Sequence, residues 1–91
     1  MRTIWKFKLE ITDTQVVSMP DGAVVLSVGL DPFGDLCLWA VVDPSRPKKP
    51  ESFTIFGTGN PAPNTLDRRG FIGTVVMKSF VWHVYAGQLE Q

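Results

Sequence analysis

The chain has one cysteine, one histidine, no net charge, no long apolar run and no stretch of helical periodicity. Each shortage closes a class of function. A single cysteine, Cys37, cannot make an internal disulfide, and disulfide-free small domains fit a reducing compartment. Cys37 lies in the apolar run Leu36-Cys37-Leu38-Trp39, where it reads as a small buried hydrophobe. Metal sites draw three or four ligands from Cys, His, Asp and Glu, so with only Cys37 and His83 no metal is expected. Nine basic residues balance nine acidic ones, which argues against a long nucleic acid as partner, since that needs clustered Lys and Arg. Met1 to Leu9 alternates charged and apolar residues without the apolar core of a signal peptide, and no segment is long enough to span a bilayer. No membrane partner is expected, and the default location is the cytosol.

What the chain does contain is core material for a β fold. In 91 residues it carries 44% hydrophobic and 11% aromatic residues, enough to set disorder aside for a single domain over residues 1–91. Trp5, Phe7, Leu9 and Ile11 alternate with Lys6, Lys8 and Glu10, the mark of a half-buried strand. A weaker strand over Thr14 to Met19 follows the turn-prone Thr12-Asp13. Pro20-Asp21-Gly22 then predicts a hairpin, because Pro pre-sets one turn dihedral and Gly supplies positive φ. Ala23 to Leu30 is apolar on both faces, so it is either central and covered on both sides or paired with another subunit. After the turn Asp31-Pro32-Phe33-Gly34-Asp35, Leu36 to Val42 is likewise apolar on both faces.

The segment Asp43-Pro44-Ser45-Arg46-Pro47-Lys48-Lys49-Pro50 is expected to be a stiff surface loop, because its prolines lack ladder donors. Its P-x-x-P spacing resembles ligands of proline-recognition domains, though an ordinary charged loop is the plainer reading. Ser52 to Phe56 resumes strand. Phe71 to Met77 and Phe80 to Tyr85 form a final hairpin across Lys78-Ser79, and residues 86–91 are expected to fray. The fold class is all-β: a small antiparallel β-barrel or β-sandwich of six to seven short strands.

The connection from Gly57 to Gly70 is the prime candidate for a site. Loops in compact domains average about 4–6 residues, and much longer ones are usually functional or disordered. Gly57, Thr58, Gly59 and Asn60 stand at one end, and the only adjacent arginines, Arg68 and Arg69, at the other. The third glycine and following helix of a dinucleotide fingerprint are missing, as is the lysine of a P-loop. Exposed N–H groups of a glycine turn can still cradle an anion, with Arg68 and Arg69 giving bidentate bonds to phosphate. The plainer reading is a surface turn with solvated arginines. His83 lacks a nucleophile-elbow motif and is read as a structural or ligand-contacting histidine. The carboxylates show no paired arrangement suited to acid/base work, so catalytic residues and cofactors are not expected. Trp5 and Trp82 are expected in the core, Trp39 and Phe56 either there or stacked on a ligand ring, and Phe33 on the surface.

Several runs form a recognisable pattern: Thr3-Ile4-Trp5-Lys6-Phe7, Leu9-Glu10-Ile11-Thr12-Asp13, Met19-Pro20-Asp21-Gly22-Ala23, Leu38-Trp39-Ala40, Val42-Asp43-Pro44, Phe56-Gly57-Thr58-Gly59, Phe71-Ile72-Gly73-Thr74 and Val81-Trp82-His83-Val84. Together they resemble a small uncharacterised protein family of tailed phages and prophages, over nearly the whole chain. The resemblance implies the cytoplasm of an infected or lysogenic bacterium and carries no residue roles. The expected function is a non-catalytic, phage-encoded binding protein, with counter-defence by sequestering a nucleotide-like anionic signal as the analogy of class. The alternative is an inhibitor or accessory factor that docks on a host protein through an apolar strand surface. The same apolar surplus predicts a homo-oligomer.

Overall fold

In a computed structural model, which describes residues 1–89, the chain forms seven strands and no helix. They are β1 (Thr3–Lys8), β2 (Thr14–Pro20), β3 (Val24–Leu30), β4 (Leu36–Val42), β5 (Lys48–Gly57), β6 (Phe71–Met77) and β7 (Phe80–Ala86). All pairings are antiparallel. They build a three-stranded sheet in the order β1-β4-β3 and a four-stranded sheet in the order β2-β5-β7-β6. The shortest dimension is 18 Å, the thickness of two sheets packed about 10 Å apart plus their outer side chains. The architecture is therefore a sandwich and not a closed barrel.

The core lies between the sheets. Leu36 and Leu38 of β4 meet Phe53 and Ile55 of β5, Val75 of β6 and Val84 of β7, with Leu9 and Met19 closing the rim. The alternation read in the first strand holds through Leu9, which is buried, but β1 ends at Lys8 and Ile11 is 46% exposed. Leu36–Val42 forms the central strand of the small sheet, paired with β1 on one side and β3 on the other, and all its residues are buried or half-buried. The equally apolar β3 is instead an edge strand. Its outward residues Val24 and Leu26 are about half exposed, and Ile4, Val41 and Val24 form one cross-strand row on the outer face of the small sheet.

Two expectations fail on pairing. The Pro20–Ala23 turn forms, with Ala23 N donating to Pro20 O at 3.1 Å. It joins no hairpin, because β2 pairs with β5 while β3 pairs with β4. The turn carries the chain from one sheet to the other. Lys48, Lys49 and Pro50 also belong to a strand, in contrast to the loop expected from the prolines. Residues 48–52 of β5 pair with β2 alone, and β7 joins only from Phe53 onward. Pro50 thus sits where the strand has one neighbour, the position at which a missing N–H is tolerated. The chain after β7 is tied down as far as Leu89. Gly87 N donates to Ser52 O at 2.7 Å, and Thr54 Oγ1 donates to Gly87 O and accepts from Leu89 N. Of the tail expected to fray, Glu90 and Gln91 lie outside the described residues.

The β3–β4 hairpin is locked by Asp31. Its Oδ1 accepts the N–H groups of Phe33 and Asp35, each at 2.9 Å, and its Oδ2 accepts Lys6 Nζ at 2.7 Å. Phe33, exposed as expected, lies with its ring centroid 5.7 Å from the same ammonium. The Lys6 bond first, then the Asp35 and Phe33 amides, hold the Asp31 carboxyl down at about 2. Because this pKa is depressed in the folded state, ionised Asp31 stabilises the fold above about pH 4, and that contribution drains away as pH falls toward 2. Asp31→Asn is expected to lower Tm by a few degrees at pH 7. The gap from the parent protein should narrow below pH 4 and close near pH 2 in a pH series of melting curves. A gap independent of pH would contradict the ion pair.

Candidate functional site

Strand order determines what the Gly57–Gly70 loop does. β5 and β6 flank β7 on opposite sides, so the connection between them must cross β7. It also runs lengthwise. Gly57 stands opposite Trp82, whereas Gly70 O accepts Ala86 N at 2.7 Å. Four residues of extended chain separate those levels, about 13 Å. The loop therefore begins at one end of β7 and finishes at the other.

It crosses the face turned away from the core. Thr54 and Phe56 alternate with the core residues Phe53 and Ile55, so they point outward, yet they are 0% and 4% exposed. Leu89, hydrogen-bonded to Thr54, borders a small cavity of about 180 Å³ together with Pro63, Leu66 and Arg69 of the loop. Beneath the crossing, Tyr85 meets Phe56 and Phe71 edge-on, with centroids 5.6 and 5.3 Å apart. Phe56 thus packs into a second, outward cluster. The length of the loop is explained by this strap, which roofs an aromatic layer.

The candidate residues consequently split into two groups. Gly57, Thr58, Asn60 and His83 come together at the start of the loop. Asn60 N donates to Gly57 O at 3.1 Å, closing a tight turn around Thr58 and Gly59. His83 stands on β7 between two threonines, its Nε2 2.6 Å from Thr58 Oγ1 and its Nδ1 2.9 Å from Thr74 Oγ1. In the neutral imidazole one nitrogen donates and the other accepts, so both hydroxyls are engaged. A hydroxyl on a histidine is the first half of a nucleophile–base pair. The orienting partner here is a neutral threonine and not the buried carboxylate that stabilises an imidazolium. Among the described residues, no three His, Cys, Asp or Glu side chains cluster.

Arg68 and Arg69 lie at the far end. Asp67 engages Arg69 through its guanidinium, at 2.9 to 3.0 Å, and through its backbone N–H at 2.9 Å. The guanidinium bond holds the Asp67 carboxyl below its ordinary range. Arg69 is thus already occupied by a carboxylate two residues away. Neither arginine lines a cavity at the glycine turn.

The concave surface at that turn uses residues that sequence reading did not place there. A cavity of about 520 Å³ lies between the turn and the segment after β1, bounded by Ile11, Thr12, Asp13, Ile55, Asn60, Pro61 and Trp82. That segment is pinned by Ile55 N donating to Asp13 O at 2.8 Å. A second cavity of about 460 Å³ is lined by Thr58, Ser79, Phe80 and Val81. The two share Gly57, Asn60 and Trp82, so they are lobes of one groove. Phe80 stacks on Trp82 at 5.7 Å with the rings 14° from parallel, and is 61% exposed. The available signal was Phe80 itself, a large aromatic following directly on the Lys78-Ser79 turn. Gly57 is also constrained here, since a Cβ would lie 2.7 Å from Asn60 Nδ2 and 3.1 Å from Trp82 Cζ3.

Neither a curated protein nor a solved structure matches the chain. A family model described as a domain of unknown function, DUF7352, matches residues 1–91, and the protein therefore belongs to that family.

Proposed function

We propose that the protein is a non-catalytic binding module whose ligand sits in the two-lobed groove around Trp82. One observation carries this reading: two cavities of about 520 and 460 Å³ meet at Gly57, Asn60 and Trp82, beside an exposed aromatic stack. Each lobe has the volume usual for a small-molecule site, about 300–1,000 Å³, and mixes apolar walls with a few polar groups. The neutral partner on the far side of His83 supports the non-catalytic part. Capture of a nucleotide signal, the role expected from the phage-protein likeness, would need a cation for the phosphate. No Lys or Arg lines either lobe.

A protein partner seated on an apolar strand surface is less well supported. The Ile4–Val41–Val24 row and Leu26 supply it, but a few half-exposed aliphatic side chains are ordinary for a monomer. Stable interfaces bury about 800 Å² per partner.

Amide and indole chemical-shift mapping separates the site readings. Titration with a mixed panel of nucleotides, nucleosides and neutral small molecules is expected to move the signals of Asn60, Phe80 and Trp82 and leave Arg68 and Arg69 in place. Shifts confined to Arg68 and Arg69, abolished by Arg68→Ala plus Arg69→Ala, would return the site to the far end of the loop.

A further inference from the structure

We infer that the ligand of the groove is an uncharged saccharide of at least two rings, an inference that rests on the groove being the binding site. The chemistry of the lining selects it. A pyranose has one apolar C–H face and a rim of hydroxyls. Phe80 offers a flat, solvent-facing ring, backed by Trp82 at 14° from parallel, on which such a face can lie. Around that platform stand the Asn60 amide and the Thr58 and Ser79 hydroxyls, which can both donate and accept, and in the other lobe the Asp13 carboxylate, which accepts. Amide and carboxylate suit adjacent ring hydroxyls, since each offers two hydrogen-bonding atoms in one plane.

Charge narrows the choice. The only ionisable group in the lining is Asp13, and among the described residues no cation pairs with it. A phosphate or uronate brought into the groove would meet that carboxylate with nothing to offset it, and like charges at short range repel strongly once water is displaced. A neutral polyol meets it as a hydrogen-bond acceptor. The two lobes set the length, because they adjoin at Gly57, Asn60 and Trp82 and each has room for a hexose ring.

The test is indole and amide chemical-shift mapping of the full chain with maltotriose, cellotriose, tri-N-acetylchitotriose, trigalacturonate, adenosine and AMP, each added separately. The expected result is saturable shifts at Trp82 and Asn60 with at least one neutral trisaccharide. Affinity should be about tenfold or more weaker in Phe80→Ala, matching the loss of one stacking contact, and in Asn60→Ala. Trigalacturonate and AMP should bind at least tenfold more weakly. Tm and spectral dispersion of both variants report whether the fold is kept; Asn60 lies in the wall the two lobes share and Phe80 in one lobe only, so either variant that keeps its fold suffices. Shifts at Trp82 with adenosine or AMP and with no saccharide would overturn the saccharide and leave the groove standing. Silence at Trp82 with every probe would overturn both. Saccharide shifts elsewhere, unchanged by Phe80→Ala, would also overturn the inference.

Discussion

Phe53→Ala is expected to remove about 3–5 kcal/mol of stability, the usual cost of truncating a fully buried phenylalanine. Phe53 is 2% exposed and sits where the large sheet is held together. It pairs with Gln15 of β2 and with Ala86 of β7, at the point where β5 passes from one neighbour to the other. Its side chain enters the cluster formed with Leu9, Met19, Leu36 and Leu38, so a cavity there loosens contacts from both sheets at once. A domain of 91 residues has in total only about 5–13 kcal/mol of stability to lose. Urea unfolding should show a fall in the midpoint with little change in slope, and thermal melting a drop of roughly 12 °C or more. Val16→Ala serves as the contrast, since Val16 is 63% exposed on the edge strand β2, and it should change stability by less than about 0.5 kcal/mol. Equal losses in the two variants would mean that the core does not lie where the burial places it.

Most of the strand content was readable because it is local. Period-two alternation marks β1, and an unbroken apolar run marks β4, whose residues are all buried or half-buried. Partner choice is not local, and there the reading failed. Pro20-Asp21-Gly22 specifies a reversal of the chain, and the reversal forms. Whether the flanking strands then pair depends on β4 and β5, which come later and compete for them. Pro50 misled for a related reason: a proline excludes a residue from the middle of a ladder, but which half of β5 has a second neighbour follows from β7. The site shows the same limit. The loop between Gly57 and Gly70 stood out by length, and half of its flagged residues do gather beside His83. That its two ends lie on opposite sides of β7 and about 13 Å apart along it follows from β7 being inserted between β5 and β6, both antiparallel to it, which no spacing within the loop records. Asp13 reaches the groove because the segment after β1 docks on Ile55, a contact across 42 positions of sequence.

Gly70→Ala is expected to cost about 2–4 kcal/mol, the largest effect of any loop substitution and far more than the same change at Gly59. Both glycines have positive φ, +78° and +86°, where a side chain adds strain. They differ in what a Cβ would meet. At Gly59 nothing lies within 4 Å, so only the backbone strain applies, about 1 kcal/mol. At Gly70 the new carbon would stand 2.9 Å from Ala86 O, a main-chain atom that cannot rotate aside. The same junction holds the hydrogen bond from Ala86 N to Gly70 O at 2.7 Å, so relieving the clash pulls the strap away from the end of β7. Thermal melting ranks the two variants, and hydrogen exchange at the Ala86 amide reports the junction directly. Protection there should fall in Gly70→Ala and stay unchanged in Gly59→Ala. Gly59→Ala should lower Tm by only a few degrees, and Gly70→Ala by about two to four times as much. If both variants lost stability equally with Ala86 still protected, the strap would not be anchored at Gly70, and its far end, with Arg68 and Arg69, would be free to act as a site.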